Sequence, residues 1–437
     1  MTECRVSLAL CSSAILLFLA ATDVRAQFDY VNGWQGQLFP SYIVATATMR
    51  AENAQAAPEA INDDGQQESD EGDAGKAEEE GDAPQPREEE PDDGNILGDP
   101  ETMRLLGVVV SAEEENTPIV VEIEAPGILE TSRWSGVLEE ANTEYTVFPS
   151  LKFNFKALIA NSQAIPLAVT YRVTLGDNDP AEHTVNMTLR SINDCPIAII
   201  YDQNDVEDIS FMFAAYVNEQ HPFVDKILRE ALNKGVVSSF DGYQSGNVES
   251  VIRQVYAIWD ALSRRDVRYS NITASVAENQ MVPSQHVRLI DQSINNAQAN
   301  CVDGSVLLAS LLRKIDIEPA LVLMPGHCYL AFALDAEGKQ WMGLETTLMG
   351  AQGLDVPPDV ESDKIVGPKF QREKSWLTLR AAMGVGNKNL AEQQPKFAEE
   401  NSVAYQFIQV AQARRKGILP IAFDSSERFN SSKGTPE

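Results

Sequence analysis

The chain has 437 residues, 43% of them hydrophobic, which supplies enough apolar area for sizeable cores and excludes full disorder. Lysine and arginine number 34 against 65 acidic residues, a net charge of −31. This balance argues against nucleic acid as a partner and disfavours an anionic membrane surface, since phosphate binding is driven by cationic side chains.

The first element is a targeting signal. Met1 to Arg5 is a short basic start, and Val6 to Ala21 is apolar. Val24-Arg25-Ala26 then fits the small-x-small pattern of a cleavage site. Residues 1–26 therefore read as a signal peptide, and the protein is expected to be exported, to a periplasm, cell envelope or extracellular space. No other long apolar run is a candidate span, so no membrane contact is expected beyond the signal. The mature chain keeps Cys195, Cys301 and Cys328. An odd number without any CxxC pair argues against a disulfide framework and leaves at least one free thiol.

Residues 27–50 form a short segment with aromatics but no clear periodicity. Residues 51–103 follow as an acidic linker. Between 51 and 100 there are 18 acids and two bases, so this stretch alone carries −16. With almost no large apolar side chains it cannot offset its conformational entropy by burial, and it is expected to be a disordered, extended tether.

Residues 104–197 alternate with period two. The expected strands are Ile119 to Ile123, Tyr145 to Phe148, Leu151 to Phe155, Leu167 to Thr174 and Thr184 to Leu189. Turn clusters such as Gly176-Asp177-Asn178-Asp179-Pro180 separate them. Short strands with such punctuation predict a small β-sandwich.

From about 205 the period becomes helical. Pro222 opens a helix whose apolar residues are Val224, Ile227, Leu228 and Leu232, and Gly235 ends it. A second amphipathic helix carries Val248, Val251, Val255, Ile258, Trp259 and Leu262. In the last segment, 351–437, a helix is predicted over Ser402 to Lys416, with Phe407 and Ile408 on its apolar face and Gly417 as its stop. An amphipathic face needs a surface, so this segment is expected to pack back on the preceding domain.

Chemistry concentrates between Gln285 and Gly350. Asn300 is a good N-cap and Asp303 suits a first turn, so Cys301 falls at the first position of an apolar, buried helix. A thiol there faces backbone N–H groups and the positive end of the helix dipole, both of which favour the thiolate, the nucleophilic form. Beyond the helix, Ala320 to Met324 reads as a strand, Pro325-Gly326 as a turn, and His327 as the start of the next strand. Alternation sets His327, Tyr329 and Ala331 on one face, and Cys328, Leu330, Phe332 and Leu334 on the other. A metal site using both His327 and Cys328 is thereby disfavoured. A third strand, Gln340 to Thr347, brings Glu345 beside His327, where a carboxylate would orient the imidazole and stabilise its charged form. His286 is expected in a core or on the surface, with nothing paired to it, and His183 and His221 as solvent-facing or capping groups. No P-loop, HExxH or Gly-rich dinucleotide signature occurs, so no cofactor is indicated.

The order of a Cys at a helix start, a His on a following strand and an acid on the next resembles the transglutaminase-like, papain-related thiol enzymes. The resemblance is closer to bacterial transglutaminase-like proteins in three segments: Val287-Arg288-Leu289, Asn300-Cys301-Val302-Asp303 and Pro325-Gly326-His327. It covers roughly residues 205–350. It implies an α+β fold, with helices on an antiparallel sheet. It also implies a Cys301 nucleophile, a His327 acid–base partner and Glu345 as orienting group. The implied reaction attacks a peptide or protein amide to form a thioester, with hydrolysis or acyl transfer to follow. Gln298, or less directly Gln285, is the side-chain candidate for an oxyanion donor, beside the Cys301 backbone N–H. Two positions depart from the family pattern: Glu345 replaces the usual Asp, and Ala299 stands where many relatives have Gly. The alternative function is a catalytically silent scaffold of the same fold in the cell envelope.

Overall fold

The computed structural model describes residues 28–47, 95–99, 105–202, 205–271, 281–354, 356–357, 359–398, 404–422 and 428–430. The expected signal peptide and all but a few residues of the acidic stretch lie outside these. Two antiparallel-dominated sheets share one core in the N-terminal half. The larger runs in the order Gln37–Leu38, Ala181–Leu189, Ile165–Leu175, Thr117–Ala125, Leu129–Leu138, Lys152–Phe153. The smaller runs Phe28–Asn32, Leu106–Val110, Tyr145–Phe148, Ile96–Gly98. Period-two patterning explains the packing. Val121, Ile123, Val169, Tyr171 and Val173 point inward from one sheet, and Val108, Val110, Tyr145 and Val147 from the other.

Two expectations are revised here. Ile96–Gly98, at the end of the acidic stretch, is a strand parallel to Tyr145–Phe148 rather than part of a disordered linker. Leu151 to Phe155 does not continue as a strand. Asn154 accepts the N–H of Ala157 and caps a helix, Phe155–Ala160, because Asn bonds its own backbone more readily than it extends a ladder.

The second core is helical on one side. Pro222–Asn233, Val248–Arg264, Cys301–Lys314 and Lys374–Gln393 pack around a four-stranded antiparallel sheet, ordered Trp341–Leu344, His327–Ala333, Pro319–Met324, Gln406–Gln409. The protein is thus α+β with antiparallel sheets. Val302 through Leu312 are all buried, so the Cys301 helix runs through the core rather than over its surface.

The predicted helix over Ser402 to Lys416 is corrected. Gln406–Gln409 is a strand on the edge of Pro319–Met324, and among the described residues of that stretch only Val410–Arg415 is helical. As a strand, Ile408 enters the main core while Phe407 packs with Tyr329 and Trp341 on the opposite sheet face. Pairing a sheet edge outweighs helix propensity over four residues. Gly417 does end the helix, with φ of 84°.

The segment before residue 48 ties the halves together. Leu38, Ile43 and Val44 belong to the sandwich core, whereas Trp34, Phe39 and Ala45 belong to the helical one. The chain enters the second core ahead of the expected boundary at 197. Asp194–Pro196 pairs with Ser284–His286, and Ile192 and Cys195 are in the helical core.

Candidate active site

The site is built from the N-terminal turn of the Cys301 helix, the start of the His327 strand and the segment just after Trp341–Leu344. Asn300 is extended, and its side-chain oxygen accepts the N–H of Asp303 at 2.9 Å. Asp303 returns a bond to the N–H of Asn300, also at 2.9 Å, completing a capping box. This reciprocal cap fixes where the helix begins and therefore places Cys301 at its first position.

Asp303 does more than cap. It is fully buried, and its two oxygens also accept the backbone N–H of Arg288 at 2.7 Å and the Arg288 guanidinium at 2.6 Å. The Val287-Arg288-Leu289 and Asn300-Cys301-Val302-Asp303 segments are therefore two halves of one buried ion pair. Sequence reasoning quoted both segments and missed the link. The signal was available, because a buried helix start with an acid in its first turn needs a cation or donors nearby.

His327 Nε2 lies 2.8 Å from Glu345 Oε2. The His327 imidazole also hydrogen-bonds the Cys301 side chain. The thiol and then the Glu345 carboxylate hold the imidazole in its charged form, against the opposing effect of burial, and raise its pKa to about 10. Glu345 is 5% exposed. Burial pushes its carboxyl up, but the His327 bond and the donors of Thr347 outweigh it and leave the pKa below the ordinary value. The Thr347 hydroxyl and N–H meet Glu345 Oε1 at 2.7 and 3.1 Å, so both carboxylate oxygens are engaged and one side-chain conformer is held. Glu345 lies one residue beyond the strand Trp341–Leu344 and caps the short 3₁₀ turn Thr346–Leu348, rather than sitting inside a strand to Thr347. The longer Glu side chain reaches back from there to His327.

The turn after Glu345 also grips the Cys301 backbone. Ser305 and Thr346 hydroxyls donate to the Cys301 carbonyl at 2.8 and 3.3 Å. Gly304 stands where a Cβ would meet Thr346 at 3.2 Å, so this close approach favours a residue with no side chain. Cys301 is half-buried, while Cys195 and Cys328 are buried, and all three are free thiols. Burial and then Cys301 push the Cys328 thiol well up, which keeps it protonated behind the site. Cys328, Leu330 and Phe332 enter the core as alternation predicts.

Gln298 lies on the two-residue strand Gln298–Ala299, three positions before Cys301, and is half-buried. The Gln285 amide is spent on the His286 carbonyl at 2.9 Å. His286 is not unpaired: its Nδ1 lies 3.6 Å from Asp194, a carboxylate whose pKa is lowered by His286 and Arg190 despite the opposing effect of burial. His221 is the N-cap of Pro222–Asn233, accepting the Phe223 N–H at 3.1 Å. Among the described residues no group of three or more His, Cys, Asp or Glu side chains is arranged to hold a metal ion, and no helix is long and apolar enough to cross a membrane. Compared with known proteins, the chain matches no protein-family model and no curated sequence.

Proposed function

We propose that the chain is an exported, transglutaminase-like thiol enzyme of the papain-related type, which opens amide bonds through a thioester on Cys301. The observation that carries this reading is the imidazole of His327, set between the Cys301 thiol and the buried, doubly engaged carboxylate of Glu345. A charged imidazole favours a thiolate beside it, and the helix start adds the dipole and unpaired N–H character of its first turn. The thiolate attacks the amide carbonyl carbon, and the displaced electron pair resides on the carbonyl oxygen. The imidazolium then gives its proton to the departing amine as the C–N bond breaks, leaving an acyl-enzyme. Water or a second amine loses a proton to the neutral imidazole and takes the acyl group, which gives hydrolysis or transfer. Glu345 keeps the ring oriented through both steps.

The test is mass-spectrometric mapping of iodoacetamide adducts over a range of pH, with Cys301→Ser and His327→Ala for comparison. Labelling is expected at Cys301 well below the pH at which a free thiol of pKa ~8.5 reacts, and His327→Ala should shift that profile upward. Slow labelling with an ordinary profile, unaffected by His327→Ala, would remove the basis of the proposal.

A further inference from the structure

The C-terminal residues Arg428 to Asn430 sit in a built peptide site. Phe429 is half-buried between an exposed Arg428 and an exposed Asn430, so only the ring is inserted. The Arg265 guanidinium carbon lies 4.0 Å from the centre of that ring, and Lys226 Nζ lies 4.9 Å from it. Phe223, itself buried, meets it edge to face at 4.9 Å. Two bonds from Glu230, at 2.6 and 2.7 Å, fix the Arg265 plane against the ring. The backbone on either side is read as well. Asn295 Nδ2 donates to the Arg428 carbonyl at 2.9 Å, and its Oδ1 accepts the Asn430 N–H at 3.2 Å. One side-chain amide thus serves the two backbone groups flanking Phe429, as a neighbouring strand would. Arg265 Nη1 donates to the Asn430 carbonyl at 2.9 Å.

The two clamping residues have a common destination. Arg265 ends the helix Val248–Arg264, and Asn295 lies in the helix Ile290–Asn296. Three residues beyond each begins a short strand, Arg268–Tyr269 and Gln298–Ala299, and these two strands pair in parallel. The second runs through Asn300 directly into the Cys301 helix. A two-residue ribbon has little stability of its own. Moreover, each strand is entered through a left-handed residue, Asp266 at φ 61° and Ala297 at φ 51°. Such a conformation is unfavourable for a residue with a Cβ and persists only where the surroundings hold it. The tail bridges the two chain segments just ahead of these positions.

We propose that Arg428-Phe429-Asn430 is a peptide ligand acting in cis, a latch whose seating on Arg265 and Asn295 holds the ribbon and thereby governs the reactivity of Cys301. The site takes an extended peptide with one aromatic side chain. This inference rests on the thiol-enzyme reading above and deepens it by naming what regulates that site.

Two readouts are taken on the full chain in wild type, Phe429→Ala and Phe429→Tyr. The first is amide hydrogen exchange, which reports local opening, across residues 266–270 and 297–300, with the sandwich strand Thr117–Ala125 as reference. The second is the pH profile of iodoacetamide labelling at Cys301. Losing a desolvated cation–π contact corresponds to about tenfold in an opening equilibrium. Phe429→Ala is therefore expected to speed exchange in the ribbon by about tenfold, leave the reference strand unchanged, and move Cys301 labelling toward higher pH. Phe429→Tyr, which keeps an aromatic face toward Arg265, should stay near wild type in both. Unchanged ribbon exchange in Phe429→Ala would overturn the proposal. So would equal acceleration in the reference strand, equal effects of the two variants, or a loosened ribbon with unaltered labelling. If wild-type Cys301 fails to label selectively, the thiol-enzyme reading falls and the control of reactivity with it; the exchange rates separate that outcome from failure of the latch itself.

Discussion

Asp303 offers the sharpest test of how the helix start is built. Its carboxylate is fully buried and accepts three donors, from the Arg288 backbone and guanidinium and from the Asn300 backbone, at 2.6–2.9 Å. Its partner, Arg288, has a side chain only 10% exposed. Asp303→Ala strands that guanidinium and two N–H groups away from water. Removing one partner of a buried pair costs about 3–5 kcal/mol, because the other charge is left uncompensated. Globular proteins hold about 5–15 kcal/mol in all, so the variant should fold but melt roughly 10 °C lower. Urea unfolding followed by tryptophan fluorescence, with Arg288→Met and the double variant, completes a thermodynamic cycle. The double variant is expected to lose clearly less than the two single losses added together, since no charge remains to be stranded. Additive losses, or a single-variant cost below about 1 kcal/mol, would refute the claim that the two sequence segments are joined by this pair.

Three further outcomes follow from the same geometry. The pKa of His327 is raised to about 10 from 6.5, so the folded state holds a proton that the unfolded state releases between these values. Its stabilising contribution is therefore complete below about 6.5 and lost as pH rises toward about 10; the lowered Glu345 contributes above its ordinary range and loses that contribution on acidification. Urea midpoints of wild type and His327→Ala should converge between pH 6 and pH 10, and parallel curves would contradict the assignment. In Glu345→Gln the bond to Nε2 can persist without the charge, and the His327 titration followed by NMR should fall by about one pH unit or more; an unchanged midpoint would show that the carboxylate does not act on the ring. Finally, a Cβ at Gly386 would meet Gly343 and Leu344 backbone atoms at 2.3 Å, whereas one at Gly384 meets nothing within 4 Å. Gly386→Ala should cost about 1–3 kcal/mol and slow Cys301 labelling by displacing the strand that leads to Glu345, while Gly384→Ala should stabilise the helix by about 0.5–1 kcal/mol. Equal effects at the two positions would dispose of the close-approach argument.

Local order was readable wherever a residue's role is set by its near neighbours. The Asn300 cap, the helix beginning at Cys301, the helices from Pro222 and Val248, and the alternation that buries Cys328 beside Leu330 all depend on contacts within a turn or a strand. The proximity of Glu345 to His327 was also within reach, because a short hairpin fixes the register of its two strands. Distant partners were not readable. Arg288 and Asp303 are 15 residues apart, and their bond exists only because the helix start is buried. Gln406–Gln409 has helical spacing, yet it serves as an edge strand because Pro319–Met324 leaves backbone groups there to pair. The strand Arg268–Tyr269 carries no local signal at all. Its strand character comes from pairing with Gln298–Ala299 about thirty residues later, a contact that becomes favourable only once the surrounding core has offset the entropy of closing that loop.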